Sequence, residues 1–219
     1  TKSNAQPGIH RQVWQMAGPL IFANISVPLL GAVDTAVVGH LPEIHYIGAV
    51  AIGAMLFTYI HHLFNCLRMG TTGPTAQARG AGDYPEVRAL IGRALLLAGA
   101  IGGALILLQL PILALTFWLI DASPQVEHYA REYFLIRIWS MPAALAGYAI
   151  IGWYYGLRDA RTPLIVQVCA NALNIGLDFL FVFGFGWGVA GVAIASVIAS
   201  DAGLALGLWY VWRTVRAMP

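Results

Sequence analysis

Charge is scarce in this sequence. Of its 219 residues only 10% are Asp, Glu, Lys or Arg, while 59% are hydrophobic; a soluble domain carries roughly a quarter charged residues. Too little polar surface remains to coat a globule that faces water on all sides, so the outer surface must meet lipid. The formal net charge is only +2 and the basic residues are dispersed, which argues against a nucleic-acid partner. Cysteine is nearly absent. Cys66 and Cys169 both lie in apolar runs, where they read as small buried hydrophobes, and nothing resembles a disulfide framework or a metal-ligand spacing. The short apolar alternation of a membrane β-barrel is missing as well. Thr1 to Gln12 are polar and lead straight into an apolar run, a pattern expected of a chain without a cleavable signal peptide.

What is present is length of apolar helix. A bilayer core about 30 Å thick needs roughly 20 apolar residues, and six stretches qualify: 13–39, 47–70, 90–120, 126–157, 163–184 and 188–212. The fold class is therefore all-α, a polytopic membrane protein built as a six-helix bundle. Basic residues set its orientation. Lys2, Arg11, Arg79, Arg88, Arg158, Arg161, Arg213 and Arg216 fall at alternate ends of the spans, and the intervening loops hold no Lys or Arg, only Glu43 and Asp121. The positive-inside rule then puts both ends of the chain in the cytoplasm. Glycine is frequent, 24 residues, and within membrane helices it reads first as a small packing residue.

Ionisable residues at membrane depth are costly and mark functional sites by default. They are Asp34 in the first span, Arg68 in the second, Arg131, Glu132 and Arg137 in the fourth, Asp178 in the fifth and Asp201 in the sixth. At a rise of about 1.5 Å per residue, Asp34, Tyr133, Asp178 and Ser196 fall in one layer of the outer half. Asn171, Asn174 and Asp178 stand at i, i+3 and i+7, so they share one helix face, and such a stripe cannot face lipid. Two carboxylates shielded from water in one layer can hold a proton and release it when a cation arrives. The same layer can instead hold a small metal cation, with Asn174 and Ser196 adding oxygen ligands, or can simply bond neighbouring helices. Arg131 and Glu132 are expected near hydrated surface, Arg137 is expected to pair with an interior acid such as Glu132 or Asp178, and Arg68 to snorkel inward. Asp201 is left open between a second protonation site and a polar packing group. Pro19 and Pro28 give the first span kink points, and Pro111 and Pro142 are expected to make ordinary kinks. His61 and His62 point about 100° apart, so they read as structural or cavity-lining.

Three stretches resemble a known family. Gly31-Ala-Val-Asp-Thr-Ala-Val-Val-Gly-His40 resembles the first helix of the multidrug and toxic compound extrusion (MATE) family. Thr71-Thr-Gly-Pro-Thr-Ala-Gln-Ala-Arg-Gly-Ala-Gly-Asp83 is similar to the inner end of that family's second helix. The most specific likeness is Asn171-Ala-Leu-Asn-Ile-Gly-Leu-Asp178 followed by Gly188-Val-Ala-Gly-Val-Ala-Ile-Ala-Ser196. The first stretch looks most like the bacterial branch named for DNA-damage-inducible protein F. The resemblance implies an exporter of organic, often cationic, compounds in the bacterial inner membrane. It would be driven by protons or sodium ions and need no other cofactor. It implies that Asp34 and Asp178 form the protonation centre, with Asn174 in their network. The helix 6 hydroxyl falls on Ser196, the helix 4 tyrosine on Tyr133 and the bending proline on Pro19. A sodium ion, if used, would sit at Asp34, Asn174, Asp178 and Ser196. The family has twelve helices in two lobes, so residues 1–219 look like the N-terminal lobe, and a second six-helix lobe is the expected partner. Two other readings are a lipid flippase of the same superfamily, whose head-group path should be basic, and an intramembrane aspartyl protease. The protease signature wants glycine where Leu177 and Ile175 stand.

Overall fold

The computed structural model describes Val33, Ala36, Val37 and Gly39, which are helical, and the chain from Ile44 to Pro219. Among the described residues there is no strand, and five helices are long and apolar enough to cross a membrane. The all-α, multi-pass reading holds for them; most of the first expected span, 13–39, lies outside the described residues.

From Ile44 onward, breaks divide the described spans into eight α-helices: α1 Ile44–Phe64, α2 Cys66–Gly80, α3 Tyr84–Leu107, α4 Gln109–Leu119, α5 Pro124–Arg137, α6 Met141–Gly156, α7 Arg161–Phe179 and α8 Gly188–Ala217. The second span thus runs ten residues beyond the expected Gly70, to Gly80, with a break at Asn65 and Pro74 accommodated inside α2. Two breaks have a proline as their cause. Pro111 cannot donate to the carbonyl of Leu107, where α3 ends. Pro142 cannot donate to Ile138, whose carbonyl accepts instead from Met141 across the 3-10 turn Ile138–Ser140.

Polar caps set the helix starts at the arginine-rich end. Asp83 accepts from the Glu86 amide at 3.0 Å, beside Pro85 at the head of α3. Asp159 accepts from the amides of Arg161 at 2.9 Å and Thr162 at 3.1 Å, and from the Thr162 hydroxyl at 2.6 Å. At the opposite end, Gly186 (φ +69°) and Gly188 (φ +55°) carry the turn between a π-helical turn, Leu180–Gly184, and α8; a side chain there would be strained.

α6 is the central helix, packed against α2, α3 and α8. Small residues allow this. A Cβ on Gly152 would stand 2.3 Å from the Arg68 carbonyl oxygen, one on Gly156 2.5 Å from Thr75 Cβ, and one on Gly102 2.5 Å from Pro142 Cα. Backbones meet where the glycines lie, because packing must replace the hydrophobic drive that lipid removes. Trp153 is fully buried and its indole donates to the Val87 carbonyl at 2.9 Å, which ties α6 to α3. A second core gathers Val37, Phe57, Tyr133, Phe134, Val189 and Val192 at the other end of the bundle. Large apolar side chains such as Leu96, Leu107 and Trp118 are exposed, as a lipid-facing surface requires. Cys66 and Cys169, expected to be buried, are exposed too; a weakly polar thiol is tolerated against lipid, so an apolar run does not dictate the face.

Candidate functional site

Polar residues recur on α7 at Gln167, Asn171, Asn174 and Asp178, a spacing that keeps them on one face of the helix. The face turns inward. Asn174 is 3% exposed and Asp178 0% exposed, while Leu173 and Phe179 on other faces are open. Gln167 donates its amide to Asn171 Oδ1 at 2.9 Å, which orients the Asn171 carboxamide. Across from this stripe α8 contributes Ser196, 6% exposed. The small residues Gly203 and Gly207 bring α8 against Ala170 of α7 and Ile150 of α6.

Between these helices lies a cavity of about 360 Å³, and Gln167, Asn171, Asn174 and Ser196 are on its wall. The Nδ2 of Asn174 and the Oγ of Ser196 are buried and have no hydrogen-bond partner among the described residues. Buried polar groups are almost always paired, so two unmet ones facing a cavity large enough for a small ligand point to a binding site. The remaining wall is largely apolar and aromatic, with Phe57, Tyr148 and Tyr154 among its members.

α5 adds a cation. Arg137 is half-buried on the cavity wall; it donates to the Tyr133 hydroxyl and lies over the rings of Phe57, at 5.1 Å, and Tyr133, at 5.3 Å. A guanidinium between two aromatic faces has its charge stabilised away from water. Tyr133 itself is fully buried against α1, its ring on the face of Gly53, and reaches the cavity through Arg137. Arg131 pairs with Glu127 at 2.7 Å on the partly exposed side of α5, and Glu132 is exposed. His61 lines the cavity edge-on to Tyr148, with Nε2 buried and without a hydrogen-bond partner among the described residues, whereas His62 Nδ1 turns back to the Thr58 carbonyl at 2.8 Å.

The structure thus brings Asn171, Asn174, Ser196 and Arg137 to one cavity. Asp178 continues their α7 face one turn further on, and Tyr133 stands behind Arg137. Asp34 and Pro19 lie outside the described residues. Sequence reasoning missed Gln167, although its place four residues before Asn171 extends the same polar stripe. Phe57 and Ser200, both on the cavity wall, were missed too, and carry no signal along the chain, since an aromatic and a serine in apolar helices read as ordinary packing. Arg137, expected at depth with an interior acid such as Glu132 or Asp178 as its partner, is on this wall and donates to the Tyr133 hydroxyl, while Glu132 is exposed.

A sequence model of the MatE family matches residues 19–180. Among curated proteins, the chain is 43% identical over 206 residues to DNA damage-inducible protein F of Escherichia coli, covering 94% of this chain and 45% of that protein. It is 29% identical over 219 residues to the probable multidrug resistance protein NorM of Thermotoga maritima, covering 94% and 45%. With multidrug resistance protein PmpM of Pseudomonas aeruginosa it shares 26% identity over 178 residues, covering 80% and 36%. One solved structure of similar fold is the outward-facing conformation of a multidrug resistance MATE family transporter, with TM-score 0.85 and 22% identity, covering 93% of this chain and 45% of that one. Another is a MOP superfamily transporter from Pyrococcus furiosus, at 0.86 and 21%, covering 94% and 46%. The chain spans about half the length of the curated relatives it matches.

Proposed function

The chain belongs to the MatE family, and on that premise we propose that residues 1–219 form the N-terminal lobe of a multidrug antiporter, which exports organic compounds in exchange for protons held at Asp34 and Asp178. The relatives of this family are transporters rather than enzymes, which removes the intramembrane protease. The observation that carries the proposal is the α7 stripe ending in a fully buried carboxylate, beside a cavity whose Asn174 and Ser196 have unmet hydrogen-bonding groups.

An ionised carboxylate away from water needs a counter-charge. A proton or a small cation supplies it, and either can leave when a second species claims the same surroundings. Asn174, one turn before Asp178 on the same helix face, and Ser196 on the facing wall carry polar groups open to cargo, so that cargo bound there would change the surroundings of the acid. The apolar wall accepts organic compounds by shape, and the few polar groups set their orientation. Sodium coupling is the second reading. The Ser196 hydroxyl oxygen has no hydrogen-bond partner among the described residues, and with the Asn174 carboxamide oxygen and the Asp178 carboxylate it would supply the oxygen ligands that a hard cation takes. No organic cofactor enters either scheme; the coupling ion is the only one needed.

Arginines support a cytoplasmic location for the end of the bundle that carries Arg79, Arg88, Arg158 and Arg213. Arg79 donates to the Leu157 carbonyl at the close of α6, and Arg88 to the Met218 carbonyl at 2.9 Å, so the arginine-bearing loops gather at one end. The bacterial inner membrane is the compartment this reading calls for. A second six-helix lobe completes the cargo path.

The test uses the full-length protein in proteoliposomes, with efflux of a fluorescent organic cation driven by an imposed pH gradient at fixed sodium. Asp34→Asn and Asp178→Asn are each expected to abolish proton-driven efflux while expression and elution in detergent stay normal. Efflux near the wild-type rate in both variants would remove these acids from coupling. Efflux that needs a sodium gradient and ignores the pH gradient would select the sodium reading.

A further inference from the structure

Two adjacent histidines of α1 are treated differently by the fold. His62 is exposed, and its Nδ1 lies 2.8 Å from the Thr58 carbonyl of its own helix. His61 turns onto the cavity wall, where its Nε2 is buried and has no hydrogen-bond partner among the described residues. The membrane span that carries both runs from His45 to Gly80. His61 therefore stands roughly 25 Å from either end at ~1.5 Å per residue, near mid-membrane. Ionisable side chains are rare at that depth, and those that face a cavity mark ligand or ion pathways more often than packing. A polar atom left unmet away from water is also costly.

The surroundings of that nitrogen are aromatic. Tyr148 of α6 meets the imidazole edge-on, with ring centroids 5.9 Å apart, and Phe57, one turn earlier on α1, lies at 6.5 Å. Both rings are on the same wall. From α7 and α8 come Asn174 Nδ2 and Ser196 Oγ, buried and unmet among the described residues in the same way. Three helices thus each present an unsatisfied polar atom at one cavity of about 360 Å³, and these atoms do not pair with one another. A guest in the space between them can meet all three. We propose that His61 is a cargo-recognition residue, whose Nε2 bonds an amino or hydroxyl group on a flat aromatic cargo that lies against Phe57 and Tyr148. An imidazole nitrogen accepts from either group, or donates to the hydroxyl, according to its tautomer, and aromatic side chains supply contact area for flat rings. The inference rests on the exporter reading above and narrows its cargo. A site that bonds a polar group discriminates against an analogue lacking it, so α1 shares in specificity with the α7–α8 wall.

Equilibrium dialysis on the purified full-length protein in detergent tests it with two probes. Ethidium is a flat aromatic cation bearing amino groups; tetraphenylphosphonium is a cation with rings and no hydrogen-bonding group. His61→Phe keeps a ring and removes the nitrogen, and should weaken ethidium binding about 3- to 10-fold, the worth of one hydrogen bond. His61→Gln, which restores a hydrogen-bonding group, should recover most of that loss, while all three proteins treat tetraphenylphosphonium alike. If His61→Phe aggregates, His61→Leu takes its place. Unchanged ethidium binding in the variant, equal weakening of both probes, or no recovery in His61→Gln would overturn the role of His61 and leave the exporter reading standing. Wild-type protein that binds tetraphenylphosphonium and not ethidium would overturn it too. Wild-type protein that binds neither would sink the exporter reading with it, so the two failures are told apart before any variant is made.

Discussion

Replacing Gly152 by alanine tests how the bundle is held together. The added methyl carbon would lie 2.3 Å from the Arg68 carbonyl oxygen and 3.1 Å from Arg68 Cα. Both obstacles are backbone atoms of α2, so no side-chain rotation relieves the contact. A carbon and an oxygen need a little over 3 Å, so α2 and α6 must separate by up to about 1 Å, and close contacts at Gly156 and Thr75 along the same seam would loosen with them. Overpacking of this kind destabilises by about 1–3 kcal/mol, and more where the neighbours are rigid. The obstacle here is rigid backbone, which puts the loss in the upper half of that range; alanine returns up to ~1 kcal/mol of helix propensity, which leaves a net loss of about 1–2 kcal/mol. Gly99→Ala supplies the control. Nothing lies within 4 Å of its added methyl, so only the propensity gain remains and its sign is reversed. At roughly 2–4 °C per kcal/mol for a domain of this size, detergent-solubilised Gly152→Ala should melt several degrees below wild type and Gly99→Ala at or slightly above it. The measurement is intrinsic tryptophan fluorescence on heating. Equal melting temperatures for wild type and Gly152→Ala would mean that α2 and α6 are not in backbone contact, and the account of glycine packing would fail.

Two further outcomes follow from single side chains. Ser196→Ala removes a buried hydroxyl that has no partner among the described residues, so stability should be unchanged or rise by up to ~1 kcal/mol while ion-coupled efflux falls; lost stability with intact efflux would make Ser196 a structural residue. Asp159→Ala deletes three hydrogen bonds at the start of α7 and should lower stability by about 0.5–2 kcal/mol, read as an earlier melting transition with efflux per folded molecule preserved. Loss of efflux in that variant at full stability would place the α6–α7 loop in the transport cycle.

Much of the architecture was legible along the chain because the bilayer imposes a length and a polarity on each crossing. A stretch such as Gly188–Trp212 has no soluble alternative, and the helix observed there differs mainly in its last turn. The i, i+3, i+7 spacing of Asn171, Asn174 and Asp178 likewise announced a shared face, since helical geometry is local. The same locality explains the misjudged details. Pro111 and Pro142 were visible as kink points, yet whether a proline bends a helix or ends it depends on what packs beside the freed carbonyl. The burial assigned to Cys66 and Cys169 failed for a related reason: an all-apolar helix gives no periodic signal for which side meets protein.

By itself, then, the sequence determined that the chain crosses a membrane several times, which ends are basic, and which helix carries an inward polar stripe, all properties of residues near one another in the chain. Only the tertiary structure decided that Arg137 stacks on Phe57 at the edge of a cavity, that Asn174 and Ser196 from separate helices share its wall, and that Asp201 points out of the bundle. Those facts depend on how helices rotate and cross when they pack. In a membrane that rotation is set by close fits such as Gly152 against Arg68 and Gly156 against Thr75, because hydrophobicity is the same on every side and cannot choose a face.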